Sequence, residues 1–333
     1  MTLTNERKLE ILLLSVDDYI RSAQPITSNA LQSHFPNLST ATLRNELNAL
    51  DAMGYFRQLH TSSGRVPTDM AYKFYVNEIL KKNDLNFKKL ERLKNDYENK
   101  SHSIVNTLTS LAKKLSTVTN YPTVLVQYGL ENLKINNIQI IPLIQKDALL
   151  LIETESGIID NNIPIDLCDK SSCVETSQLL SSEFAGKTIK YLIDNIKNVS
   201  VKAGSQIISL NKLIDSIILA LHKVIEKKVD ISAGNPSKML TNITHDEYDQ
   251  AKEIMSFLSD DSKVLEAFDN EYVEGMSVKM GEDDLKGGMM LIAPIKIHGV
   301  PIASLSLVGP KRVDYRTLAS ALKFIVSQAE DLK

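Results

Sequence analysis

The sequence predicts an α+β fold in which a small helical unit with a β-hairpin precedes a sheet domain that is interrupted by helices. Three observations support this prediction. Residues 1–82 carry helical repeats of apolar residues followed by a hairpin pattern. Runs of β-branched residues begin after Tyr121-Pro122 and return beyond Tyr272. Between these runs, helical periodicity dominates residues 163–228, so the helices are expected to form an insert.

The first unit, called the head below, is predicted to contain three helices before its hairpin. The first helix ends near Arg21-Ser22, where the following Gln24-Pro25 step disfavours helix. A short second helix follows Thr27-Ser28, and Ser39 is a candidate N-cap for the third. The third helix has an apolar stripe at helical spacing and ends at Gly54; the stripe consists of Leu43, Leu47 and Leu50.

The hairpin is predicted from residues 55–59, a polar turn over residues 60–64, and Arg65-Val66. Pro67-Thr68 then opens a fourth helix that contains Tyr72, Phe74 and Tyr75, whose helical spacing favours packing in the core over stacking on bases.

Two helices joined by a short turn and followed by a hairpin are typical of a winged helix-turn-helix, whose second helix enters the major groove of DNA. Asn can pair with adenine and Arg with guanine, while hydroxyls can hold phosphate. The simpler alternative is that these polar side chains only solvate an exposed helix and a plain turn. The candidate DNA-binding residues are Ser39, Thr40, Thr42, Arg44, Asn45, Asn48, His60, Thr61, Ser62, Ser63 and Arg65.

The domain boundaries are predicted from changes in this pattern. The head spans residues 1–82, a helical linker spans 83–120, and the sheet domain spans 121–333 with a mainly helical insert at 160–228. The runs at 124–126, 135–144 and 148–152 are expected to be adjacent strands of one sheet.

Two apolar surfaces are candidates for a contact between chains, and the sequence does not decide between them. One is a helical seam from Leu90 to Val118, which could equally pack on its own domain. The other is a stripe in the insert, and its residues are Leu210, Leu213, Ile214, Ile217, Ile218, Leu221 and Val224.

Composition excludes several classes of protein. Hydrophobic residues make up 43% and charged residues 24%, which is ordinary for a globular protein. Without a membrane-length apolar run or a signal sequence, we expect a cytoplasmic protein with no membrane contact. The net charge of −3 gives no bulk attraction for nucleic acid, so a DNA interface must be local.

Catalytic and metal-binding chemistry have no support in the sequence. Phosphate-binding loops, nucleophile elbows and zinc-protease motifs are all missing, which predicts no enzyme activity, no catalytic residue and no cofactor. The spacing of Cys168 and Cys173 matches neither a zinc pair nor a redox motif, so we interpret both as unpaired thiols and expect no metal.

Several segments together resemble the HrcA family of heat-inducible transcription repressors. They are Tyr19-Ile20-Arg21 with Pro25-Ile26, residues 38–47, residues 60–68, residues 115–121 and residues 308–315. The resemblance covers nearly the whole chain. It departs from the family pattern at Leu59, where proline is usual, at Ala71, where glycine is usual, and at residues 281–284.

The resemblance implies a winged-helix domain, a GAF-like sheet domain and an inserted dimerisation domain. It also implies repression of chaperone operons by a homodimer bound to CIRCE, an inverted-repeat operator in double-stranded DNA, and modulation by a GroEL-type chaperonin. Carried over to this chain, the DNA contacts would include Arg44, Asn45 and Arg65. The alternative from another class is a sensor whose GAF-like domain binds a small molecule and whose winged helix contacts protein.

Overall fold

The computed structural model describes residues 6–58, 64–82, 103–143, 147–165, 170–202, 208–232, 248–269, 275–281 and 285–330. The head contains the predicted elements in the predicted order: α1 (Glu6–Ser22), α2 (Ser28–Leu31), α3 (Thr40–Ala52), β1 (Phe56–Gln58), β2 (Arg65–Pro67) and α4 (Asp69–Lys82). The stripe predicted on α3 is fully buried, and Tyr72 and Tyr75 on α4 are buried as expected. Gly54 follows α3 in the left-handed conformation, which glycine tolerates best.

The remainder of the described chain alternates between strands and helices. After the head come α5 (Ile104–Thr119), β3 (Thr123–Gln127), β4 (Ile135–Pro142), β5 (Asp147–Thr154) and β6 (Gly157–Pro164). Three helices and a strand follow: α6 (Lys170–Phe184), α7 (Ile189–Lys202), α8 (Ile208–Ile225) and β7 (Lys228–Ser232). The last elements are α9 (Tyr248–Leu258), α10 (Asp261–Asp269), β8 (Ser277–Met280), β9 (Gly288–Ile297), β10 (Val300–Pro310) and α11 (Tyr315–Glu330).

A five-stranded antiparallel sheet forms the centre of the second domain, in the order β7-β3-β10-β9-β8. Because successive side chains of a strand point to opposite faces, Leu125 joins one apolar cluster while Val124 and Val126 join another. Helices α5 and α11 pack on the first face and α9 and α10 on the second. β7, α9 and α10 were not predicted from the sequence.

The insert differs from the prediction in both extent and composition. Strands β4, β5 and β6 form a separate antiparallel sheet instead of extending the sheet that contains β3, and α6, α7 and α8 pack with them. The chain leaves the five-stranded sheet after Gln127 and rejoins it at Lys228. The predicted boundary at residue 160 therefore lies too late, and the insert is mixed α and β. A run of apolar residues predicts a strand, but it does not show which sheet that strand joins.

The predicted linker over residues 83–120 also needs correction in the part that is described. Helix α5 packs on β3, β6 and α11, with Ile104, Leu108, Leu111 and Leu115 buried. The Leu108–Leu115 portion of the seam is thus part of this chain's own core. Its earlier residues, including Leu90, Leu93 and Tyr97, lie outside the described residues.

Candidate nucleic-acid interface

Helix α3 is positioned by its own cap and by a tight connection from α2. The Ser39 hydroxyl accepts a hydrogen bond from the Thr42 backbone N–H at 3.1 Å and lies 2.9 Å from the Thr42 hydroxyl. This cap satisfies one of the amides that a helix N-terminus leaves unpaired. The Gln32 side-chain amide donates to the carbonyl of Leu38 at 2.6 Å, which fixes the turn before the cap.

The buried face of α3 determines which residues remain outside. Leu43, Leu47 and Leu50 have no exposed surface and pack into the core of the head. An ion pair of 3.2 Å between Lys8 on α1 and Glu46 on α3 adds a second attachment. Since both helices are held together on this side, the opposite face of α3 is presented to solvent.

That opposite face carries the predicted DNA contacts. The structure brings together Thr40, Arg44, Asn45 and Asn48 as exposed residues of one helix face, with Thr42 half-buried beside the cap. Within the described part of the chain, the side chains of Arg44 and Asn45 have no hydrogen bond or ion pair to another residue. Guanidinium and amide groups in this state can reach base edges, and the exposed Ala41 allows close approach.

The hairpin lies beside α3 and is tied to the start of α2. Strands β1 and β2 pair in antiparallel register, with Arg57 opposite Val66. The backbones of Ile26 and Arg65 exchange two hydrogen bonds, of 2.8 and 2.9 Å. A Cβ atom on Gly64 would lie 2.7 Å from the carbonyl oxygen of Ile26, so this close approach requires glycine. The predicted contacts His60, Thr61, Ser62 and Ser63 lie outside the described residues.

Arg65 is directed toward the protein. Its side chain donates a hydrogen bond to the Asn48 side-chain oxygen, and its Nε atom lies 3.4 Å from an Asp51 carboxylate oxygen. Arg65 is 9% exposed overall. These contacts link β2 to α3, so in this arrangement Arg65 positions the hairpin against the helix, and Asn48 is engaged at the same time.

One cation of the hairpin was not among the predicted contacts. Arg57 is exposed on β1, directly after the buried Phe56. The alternation of an apolar and a charged residue in a short strand could have indicated it, because alternate strand positions face opposite sides. Arg57 adds positive charge on the hairpin that neighbours α3.

The stripe predicted for dimerisation lies mostly inside the insert. Leu213, Ile214, Ile217, Leu221 and Val224 are buried and Ile218 is partly buried, with α8 packed on α7 and β6. The side chain of Leu210 lies outside the described residues. A chain contact through α8 would therefore use its outer face, where Leu219 is 58% exposed.

Two buried tyrosines have raised pKa values. Burial, with a hydrogen bond to Asp17, raises the pKa of Tyr75 well above its ordinary value, and burial also raises the pKa of Tyr315. Tyr75 on α4 and Tyr315 at the start of α11 are in ring contact where the head meets the sheet domain. Among the described residues, no group of three or more acidic, His or Cys side chains could hold a metal, and Cys173 is a buried free thiol; Cys168 lies outside that part. None of the described helices is both long and apolar enough to span a membrane.

Comparisons with known proteins agree over almost the full length. Residues 105–318 match the family model of the HrcA protein C terminal domain. The heat-inducible transcription repressor HrcA of Caldanaerobacter subterraneus subsp. tengcongensis is 30% identical over 345 residues, with 98% of this chain and 96% of that protein covered. The repressor of the same name from Thermoanaerobacter pseudethanolicus is 29% identical over 344 residues, with 98% and 96% covered.

A crystal structure of a protein described as hypothetical shares the fold. Its TM-score is 0.64 at 22% sequence identity, and the alignment covers 98% of both chains. This similarity concerns the fold alone. The family model covers more than half of the chain, and the full-length relatives carry one common name. The chain therefore belongs to the HrcA family of heat-inducible transcription repressors.

Proposed function

We propose that this protein is a sequence-specific DNA-binding repressor that places α3 in the major groove of its operator. The observation that carries the proposal is the solvent-facing side of α3, where Arg44 and Asn45 are exposed and have no partner among the described residues. A capped helix N-terminus and small neighbouring side chains are suited to close approach to a phosphate backbone. The relatives' name, heat-inducible transcription repressor, supports the same class of function.

The proposed operator is an inverted repeat, as in the CIRCE element that the family resemblance implies, and the proposed binding unit is a homodimer. A net charge of −3 gives little general attraction to DNA, so we expect a single head to bind a half-site weakly. Two heads on one symmetric dimer would bind two half-sites together and gain affinity through effective concentration. The strand order β7-β3-β10-β9-β8 supports the GAF-like description of the domain that carries the heads.

Regulation by a GroEL-type chaperonin is also part of the proposal, and it rests on the family resemblance. In this scheme the chaperonin maintains the active repressor, and unfolded proteins compete for the chaperonin during heat stress. Repression would then be relieved when free chaperonin becomes scarce. Adding purified chaperonin to the repressor should raise the fraction of protein that is competent to bind operator, and an unfolded competitor protein should reverse that gain.

The direct test measures binding to CIRCE duplex and to duplexes with mutated half-sites. Replacing Arg44 with Ala should weaken operator binding by about 1–3 kcal/mol and reduce discrimination against the mutated sites. Lys190→Ala, which removes an exposed charge from the insert, is the matched control. Equal binding of the wild type and Arg44→Ala to every duplex, in a gel-shift titration at fixed salt, would contradict the assignment of α3.

The alternative of a small-molecule sensor whose head contacts protein is not favoured. The named relatives are transcription repressors, and the exposed face of α3 presents polar groups suited to DNA.

A further inference from the structure

The segment between β10 and α11 contacts the head at two separate helices. Lys311 Nζ lies 2.6 Å from a carboxylate oxygen of Asp69, in the first turn of α4. The neighbouring Arg312 donates a hydrogen bond of 3.3 Å to the carbonyl of Ile20, in the last turn of α1. The motif over residues 308–315 is part of the family resemblance, yet it lies outside the predicted DNA contacts.

Both contacts have a clear electrostatic basis. The last carbonyls of a helix lack intrahelical partners and carry partial negative charge, which favours a cation such as Arg312 at the end of α1. The Lys311 side chain is 19% exposed and the Asp69 side chain 42%, so the ion pair is shielded from solvent mainly on the lysine side. A Cβ atom at Gly281 would lie 2.1 Å from an Asp69 carboxylate oxygen, so glycine leaves the space in which this carboxylate meets Lys311.

Tyr315, the first residue of α11, also contacts α4 of the head. Its hydroxyl donates to the carbonyl of Lys311 at 2.5 Å, which holds the turn that carries the two cations. Its buried ring lies 6.3 Å, centroid to centroid, from the rings of both Tyr72 and Tyr75. The Tyr75 hydroxyl in turn donates to Asp17 on α1 at 2.5 Å. The segment thus contacts α4 directly and reaches α1 both directly and through Tyr75.

We propose that Lys311 and Arg312 are positioning residues that fix the orientation of the DNA-reading head on the sheet domain. Helix α4 also packs on β8 and α11, and the two cations add polar contacts at the start of α4 and the end of α1 that restrain rotation of the head. Orientation matters because an inverted repeat places its two half-sites at a fixed separation, and both α3 helices must reach the groove together. The inference rests on the proposed function, and it assigns to this segment a role in the geometry of the two heads.

The test compares a full inverted repeat with a single half-site. In full-length protein, Lys311→Gln with Arg312→Gln should weaken binding to CIRCE duplex by about tenfold or more, because two-site binding is lost when the heads are misaligned. Binding to a duplex with one scrambled half-site should stay within about twofold, since α3 is unaltered. Lys190→Gln with Lys223→Gln removes the same charge from exposed positions of the insert and should change neither. Lys311→Arg with Arg312→Lys should restore full-site binding.

A second measurement does not depend on DNA. Spin labels at Ala52→Cys and Lys190→Cys, with Cys168 and Cys173 replaced by Ala, report the distance between head and insert. Unlabelled protein is added in excess to suppress distances between chains. The distance distribution should broaden in the Lys311→Gln, Arg312→Gln variant. An unchanged distribution, or equal losses on full-site and half-site DNA, would overturn the inference. Failure of the wild type to prefer CIRCE over a scrambled duplex would instead refute the proposed operator, and the spin-label result would still decide this inference.

Discussion

Arg65 on β2 donates a side-chain hydrogen bond to Asn48 on α3, so the hairpin and the helix that faces solvent are joined by side chains. Asn48 and Asn45 are both exposed residues of the same helix, but only Asn48 has this partner among the described residues. Two residues of one type, three positions apart, are therefore expected to have different roles.

The two asparagines provide a matched pair of substitutions. Asn48→Ala should lower the free energy of unfolding by about 2 kcal/mol, because it removes an acceptor from a largely buried guanidinium. Asn45→Ala should leave stability within about 0.5 kcal/mol of the wild type and weaken operator binding instead. Urea denaturation and gel-shift titration measure the two effects. Equal stability of both variants would show that the contact between Arg65 and Asn48 contributes little.

Ser39 is expected to serve the helix and the DNA through one hydroxyl. Ser39→Ala should cost about 1 kcal/mol of stability, because the amide of Thr42 loses its cap. Ser39→Asp preserves a good cap and should retain stability, but its charge would lie where a phosphate is expected and should weaken binding to every duplex. Thermal denaturation and titration of several unrelated duplexes separate the effects. If Ser39→Asp binds DNA as well as the wild type, the N-terminus of α3 does not approach phosphate.

Alkaline conditions should destabilise the junction between the head and the sheet domain. The pKa values of Tyr75 and Tyr315 are raised in the folded protein, chiefly by burial, from the ordinary value of 10.0. Well below pH 10 the folded and the unfolded chain both keep these hydroxyls protonated, so the two buried tyrosines make their full contribution to stability. As the pH rises above 10, the unfolded chain loses the protons first, and stability falls until the folded pKa values are reached.

The chain contains no Trp, so absorbance near 295 nm reports tyrosinate directly. In the Tyr75→Phe variant, the free energy of unfolding should fall less steeply with rising pH above 10 than in the wild type. Tyr248→Phe, at a residue that is 64% exposed, should leave the slope unchanged and serves as the control. Identical slopes in all three proteins would contradict a raised pKa for Tyr75.

The head was largely predictable because its signals are local. The stripe of Leu43, Leu47 and Leu50, the cap at Ser39 and the stop at Gly54 each specify α3 within a few residues. The orientation of Arg65 was not predictable. A polar turn ending in arginine looks like a phosphate contact, and only the antiparallel register shows that its guanidinium meets Asn48 and Asp51.

The second domain was less predictable because its pairings are distant in sequence. β3 pairs with β10 and β7, whereas β4 begins a different sheet with β5, although β3, β4 and β5 are all short strands rich in apolar residues. The stripe on α8 was ambiguous for a similar reason. The sequence pattern of an apolar helix face is the same whether the helix packs on another chain or within its own insert. Burial of Ile217 and Leu221 within this chain reflects packing on β6 and α7.

The register between β3 and β7 has a further consequence for how the chain is assembled. Gln127 and Lys228 are paired neighbours, so residues 128–227 occupy the place of a hairpin turn. The entropy cost of closing a loop grows only with the logarithm of its length. A sheet can therefore accept an inserted segment as long as residues 128–227 at a turn with a modest loss of folding free energy. Replacing residues 128–227 with a two-residue turn would preserve the register between β3 and β7. Gene segments could thus be gained, exchanged or lost at this turn while the order of the central strands stays the same.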